Sequence, residues 1–115
     1  MKSDDVERFA DMFAALGSSA RLRIMRLLMS AHPNGMIVGD IQAELDIPGS
    51  TLSHHLEKLK MEGLVDSRKV KQWLWYSANS QALQGLLSFL YEECCTRSGI
   101  VEPVKITSSK AKSKR

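Results

Sequence analysis

Two short helical stretches joined by a four-residue turn limit what this chain can fold into more than any other feature. Over 38–45, Ile41 and Leu45 recur at helical spacing, and over 51–62 Leu52, Leu56 and Leu59 do the same. Between them lies IPGS at 47–50, a turn by its Pro and Gly, in which Ser50 is expected to cap the second helix. Gly63 should end that helix as a left-handed cap. Residues 64–70 and 72–77 then read as two strands of a hairpin, rich in Val, Trp and Tyr and polar at the tip.

The flanking segments complete the frame. Ser3, Asp4 and Asp5 mark a helix start, with acids favourably placed in the first turn. Val6, Phe9, Ala10 and Phe13 follow at helical spacing, and Gly17 ends the run. Ser19 is expected to cap a second helix with Ala20, Ile24, Leu27 and Leu28 on one face and Arg21, Arg23 and Arg26 over much of the rest. HPNG at 32–35, which includes His32, is a loop. After the hairpin, Ser80 caps a last helix to about Arg97 with Leu83, Leu86, Leu87, Leu90 and Tyr91 in one stripe. The order helix, helix, helix, helix, strand, strand, helix is mainly α with a β-hairpin wing: a winged helix-turn-helix.

With 115 residues the chain should form one domain, over 1–98, with a modest core that favours a dimer. The net charge of +3 is unevenly placed. Residues 99–115 end in Lys105, Lys110, Lys112, Lys114 and Arg115, a basic tail too polar to fold and suited to phosphate attraction. No apolar stretch reaches membrane-helix length, the first residues lack a secretory core, and the cysteines form no disulfide framework, so a cytoplasmic setting is expected.

A helix of small polar residues and histidines behind a tight turn is a form suited to DNA reading, because the major groove admits one helix whose N-terminal residues meet base edges. The expected contacts are Ser50, Thr51, Ser53 and His54, with His55 and Lys58 further along, and Arg68, Lys69 and Lys71 from the hairpin tip. His54 and His55 point about 100° apart, so one faces the groove and the other the scaffold. The same divergence argues against a shared zinc.

Cys94 and Cys95, the chain's two cysteines, are adjacent. Neighbouring Cα atoms lie about 3.8 Å apart, whereas disulfides favour roughly 4.4–6.8 Å. A direct bond between them would need a distorted peptide, but a large thiophilic centre accepts both sulfurs. Soft thiolates exclude magnesium and calcium and suit arsenic-like or Cu(I)-like centres. Cys94 follows Leu83 by eleven residues, about 1100° of helix, which would continue the apolar stripe.

The run STLSHHLEKLKMEGLVDSRKVKQWLWY resembles the reading helix and wing of the ArsR/SmtB metalloregulators, through Ser50, Leu52, Ser53, His55, Leu56, Leu59, Gly63, Leu64, Val65, Arg68 and Tyr76. FAALGSSARLRIMRLL is similar to the family's opening helix pair, through Leu16, Arg21, Ile24, Leu27 and Leu28. The likeness spans about residues 6–96. It implies a homodimer through the first and last helices that binds double-stranded operator DNA, represses without ligand, and leaves the operator when an inducer binds.

The resemblance also locates candidate sensing sites. Where one subset carries Cys-Val-Cys-Asp, this chain has Ile37, Val38, Gly39 and Asp40. Where another holds zinc with acids and histidine on the last helix, residues 80–90 have none. Cys94 and Cys95 remain, similar to an arsenical-sensing subset with a Cys-Cys pair. The inorganic sensors of that subset have a third cysteine downstream, whereas residues 96–102 here contain no sulfur. Inorganic As(III) favours three thiolates; a methylated As(III) already has one carbon bond and needs two. The expected inducer is therefore a trivalent organoarsenical such as methylarsenite, with As(III) or Sb(III) weaker.

The rival for the same residues is redox sensing. Glu92, Glu93 and the negative helix end disfavour thiolates, with Arg97 opposing. A protein-interaction module would not need Lys58, Arg68, Lys69 and Lys71 together. No nucleophile–base–acid set or phosphate loop is evident, so an enzyme is not expected, nor a required cofactor.

Overall fold

The computed structural model describes residues 3–98, with side chains from Asp5 onward, as five helices and three strands. In chain order these are α1 (Ser3–Leu16), α2 (Ser19–Ser30), β1 (Met36–Ile37), α3 (Val38–Leu45), α4 (Gly49–Met61), β2 (Val65–Val70), β3 (Trp73–Ala78) and α5 (Ser80–Tyr91). The basic tail at 99–115 lies outside the described residues. The chain divides into two compact units, one ending at Ser80 and the other beginning at Gln81.

In the first unit, the apolar positions expected on α2 and α4 supply most of the core. Ile24, Met25 and Leu28 of α2 and Leu52, Leu56 and Leu59 of α4 are buried, joined by Ile41, Leu64 and Val65. Burial of each such side chain contributes about 1.5–3 kcal/mol. On α1 the buried residues are Met12 and Ala15, whereas Val6, the start of the expected stripe, is 45% exposed. The apolar set on α1 is therefore broader than one core requires.

The sheet is antiparallel with strand order β1-β3-β2. The hairpin forms as expected, from Val65↔Ala78 to Val70↔Trp73. Lys71 opens its two-residue turn with a φ of 57°, a positive first turn residue of the kind that matches strand twist. β1 was not foreseen in the sequence: Met36 pairs with Tyr76 and Ile37 with Trp75. Gly35 makes this possible, with φ at 84° and its Cα so close to β3 that an added Cβ would lie 2.1 Å from the Tyr76 carbonyl oxygen. HPNG is thus a loop that delivers the chain onto the sheet.

Three helix ends differ from expectation. Ser18, not Ser19, caps α2, its hydroxyl accepting from the Arg21 N–H at 3.3 Å. Pro48 is the cap residue of α4, with no side-chain bond, and Ser50 lies inside the first turn. Extended φ and ψ at Pro48 (−57° and 145°) let the chain enter the helix without a hydroxyl cap. The largest difference is in the second unit, where α5 stops at Tyr91 rather than continuing to Arg97. Beyond it the amides bond three residues back: Cys94 to the Tyr91 carbonyl at 2.8 Å, Thr96 to Glu93 at 3.3 Å and Ser98 to Cys95 at 3.2 Å. Glu92 and Glu93 put negative charge where a helix end is already negative, and the Thr96 and Ser98 hydroxyls also bond carbonyls three residues back. The helical phase relating Cys94 to Leu83 therefore does not apply. Leu86 is buried on α5, while Leu87 is 37% and Leu90 67% exposed.

Candidate nucleic-acid interface and thiol pair

The burial of Leu52, Leu56 and Leu59 fixes the rotation of α4, and with it every polar side chain on the helix. Ser50, Thr51, Ser53, His54 and Lys58 are exposed, whereas His55 is half-buried. Ser50 and His54 stand one turn apart on the face opposite the core, and Met61, 76% exposed, extends that stripe. The first turn carries no acid, so nothing offsets the positive helix end. Ser53 faces sideways, lining a cavity of about 290 Å³ with Leu56, Leu74, Tyr76 and the α3 residues Val38 and Gly39.

The two histidines separate as their helical spacing requires. His55 Nδ1 lies 3.1 Å from Arg21 Nη1 on α2, while Arg21 Nε donates to the Ala15 carbonyl at 2.6 Å. Desolvation, then the Arg21 charge, then His54 hold the His55 imidazolium below its ordinary pKa of 6.5. On the opposite flank the hydroxyl of Tyr76, a residue otherwise buried, donates to Glu57 Oε2 at 3.3 Å. Burial, followed by the Glu57 charge and this bond, raises the phenol pKa above its ordinary 10. The helix is thereby tied to α2 on one side and to β3 on the other.

On the wing, Arg68 and Trp75 are register partners, so their side chains share a face. The guanidinium carbon of Arg68 lies 5.1 Å from the Trp75 ring centroid, within cation–π range. Lys69 and Lys71 are exposed beside it. Sequence reasoning named Arg68 but missed Trp75, whose signal was its cross-strand position. It placed Arg21 on the polar side of the second helix and in the family's opening helix pair, without a partner on the reading helix.

Cys94 and Cys95 lie in the turns after α5, half-buried, with sulfurs 3.0 Å apart. Cys95 takes a φ of 66°, in the left-handed region. The hydrogen bond with Cys94 raises the Cys95 thiol pKa above its ordinary value; partial desolvation and the Cys94 charge add to this, and Ser98 opposes it. Among the described residues no three His, Cys, Asp or Glu side chains converge on one point. No helix among them is long and apolar enough to cross a membrane.

Comparison with known proteins places this arrangement. A helix-turn-helix domain model matches residues 16–68. An HTH-type transcriptional regulator of Methanocaldococcus jannaschii is 43% identical over 70 residues, covering 61% of this chain and 76% of that protein. The arsenical resistance operon repressor of Bacillus subtilis is 31% identical over 94 residues, covering 82% of this chain and 86% of that protein. An ArsR-like transcriptional regulator from Rhodococcus superposes with a TM-score of 0.72 at 23% identity, over 83% of this chain and 87% of that one, which supports the fold. With the wing, the turn-linked helices and these relatives in agreement, the chain belongs to the ArsR/SmtB family of winged helix-turn-helix transcriptional regulators.

Proposed function

We propose that this protein is an operator-binding repressor released by a trivalent arsenical held between Cys94 and Cys95. The observation that carries the reading is the pair of half-buried sulfurs 3.0 Å apart. Tetrahedral zinc, with bonds of about 2.3 Å, would hold two sulfurs roughly 3.8 Å apart. The narrower spacing suits a pyramidal trivalent centre whose bonds stand nearer a right angle. Two sulfurs satisfy methylarsenite, which keeps its methyl group and loses two hydroxyls. Each thiol proton leaves with a hydroxyl as water, so the raised Cys95 pKa is no barrier. The Bacillus subtilis relative, named as an arsenical resistance operon repressor, supports the same ligand class and the same sign of regulation.

DNA binding would use Ser50, Thr51, His54 and Lys58 on α4, with Ser53 and His55 on its flanks and Arg68, Lys69 and Lys71 on the wing. Exposed Val6 on α1 and exposed Leu87 and Leu90 on α5 supply apolar surface for a homodimer, which would read inverted half-sites about one DNA turn apart. Arg68 held over Trp75 is a prepared phosphate contact. Arg68→Ala is expected to weaken binding similarly for all sequences and to reduce the slope of log affinity against log salt by about 1. Trp75→Ala should produce part of the same loss. An unchanged slope in Arg68→Ala would remove this residue from the interface.

The reading as a whole is tested by anisotropy of a labelled operator fragment from the gene's own promoter, titrated with methylarsenite and, separately, arsenite. Release by the first and weak release by the second support it. Tight binding with release by neither leaves a DNA-binding regulator with another inducer. The sulfur spacing also favours one second reading, oxidation of the two thiols, which release by peroxide without arsenical would reveal.

A further inference from the structure

Arg21 belongs to none of the surfaces assigned above, yet its side chain joins three helices. Its Nε donates to Ala15 O at the end of α1, and its Nη1 lies 3.1 Å from His55 Nδ1 on α4. Its own N–H is fixed by the Ser18 cap. A guanidinium has donors and no acceptor. At this contact, therefore, Nδ1 must accept, the imidazole must be neutral, and its hydrogen must sit on Nε2.

We infer that Arg21 is a positioning residue for operator binding, which locks His55 as the neutral Nε2–H tautomer and so fixes the one donor this ring offers to a DNA backbone phosphate. The inference rests on the reading of α4 as the DNA-contacting helix. Without Arg21, either nitrogen could carry the hydrogen, and the ring could turn its acceptor toward the phosphate, a repulsive arrangement. Arg21 from α2 and His54 from α4 itself are the charged or titratable groups acting on the ring, and both disfavour a second proton. Within α4 the two histidines thus divide their roles: His54 is exposed, and His55 is a scaffold-set donor.

The test begins on the free protein, with two-bond nitrogen–proton correlation spectra of the histidine side chains as pH is lowered. His55 is expected to show the Nε2–H tautomer and to stay neutral below pH 6.5, its ordinary pKa. In Arg21→Met the ring should relax to the mixture of an unconstrained imidazole, with Nδ1–H appearing beside Nε2–H, and the titration should move up toward that ordinary value. Operator affinity should fall about 10-fold, the effect of one hydrogen bond of ordinary strength, with unchanged far-UV circular dichroism. His55→Phe should lose a similar factor. His55→Gln should recover most of it, because a glutamine amide can accept from Arg21 and donate on the other side. An Nδ1–H tautomer in the wild type, or an Arg21→Met variant with unaltered tautomer and affinity, overturns the inference. If no variant and no wild type binds the operator, the repressor reading fails, while the tautomer spectra still decide whether the lock exists.

Discussion

Gly35→Ala is expected to lower the thermal midpoint of this protein by about 12 °C or more, on the usual scaling of about 4–8 °C per kcal/mol in a small domain. A φ of 84° by itself costs an alanine about 1–2 kcal/mol. The larger cost is steric. The added Cβ would stand 2.1 Å from Tyr76 O, 2.8 Å from Tyr76 C and 2.9 Å from Ser77 Cα, all of them backbone atoms of β3. No side chain can rotate away, so relief requires β1 to leave the sheet, ending the pairs Met36↔Tyr76 and Ile37↔Trp75. Tyr76 would shift with them, loosening the bond to Glu57 on α4. A total of at least about 3 kcal/mol is a large share of the 5–15 kcal/mol that a domain has. Gly39→Ala is the control: nothing lies within 4 Å of its added Cβ, and alanine favours a helix by up to about 1 kcal/mol. Similar melting of the two variants would refute the close approach at Gly35.

That same glycine shows where sequence reading stops. The periodicity of Leu52, Leu56 and Leu59 and the alternation of the hairpin were legible because burial imposes them residue by residue. Gly35 in HPNG carries the composition of any loop, and two residues of strand give no period to detect, so β1 was invisible. The caps failed for a related reason: Ser18 and Ser19 are chemically alike, and only the backbone decides which serine reaches the Arg21 amide. Arg21 itself illustrates the limit for function. A basic residue on an amphipathic helix reads as part of its polar side until the fold brings a histidine 34 positions away to 3.1 Å. The thiol pair was legible as chemistry, because Cys94 and Cys95 are the chain's two thiols and stand next to each other. Its setting was not, since a stripe running on past Tyr91 in sequence conceals the turn that ends α5.

That turn gives the thiol variants their expected behaviour. Cys94→Ser and Cys95→Ser should each abolish operator release by methylarsenite while leaving operator affinity within about 2-fold of wild type, because surface substitutions away from the contact face change little. One substitution suffices because the second sulfur acts as a linked binding group, and linkage of this kind multiplies affinity by about 10²–10⁴. With Cys95 at a φ of 66° and the sulfurs already 3.0 Å apart, little ordering remains to be done when the ligand arrives. In the wild type, a coupling of about 1–3 kcal/mol would weaken operator binding roughly 5–150-fold. Binding should also be visible without DNA, as stabilisation of about 2.7 kcal/mol when methylarsenite exceeds its dissociation constant 100-fold. In the serine variants this gain should fall below detection. Stabilisation by methylarsenite that survives both substitutions would place the ligand elsewhere and defeat the two-thiol reading. Stabilisation lost in the variants, but with no release of DNA from the wild type, would keep the site and deny it control of the operator.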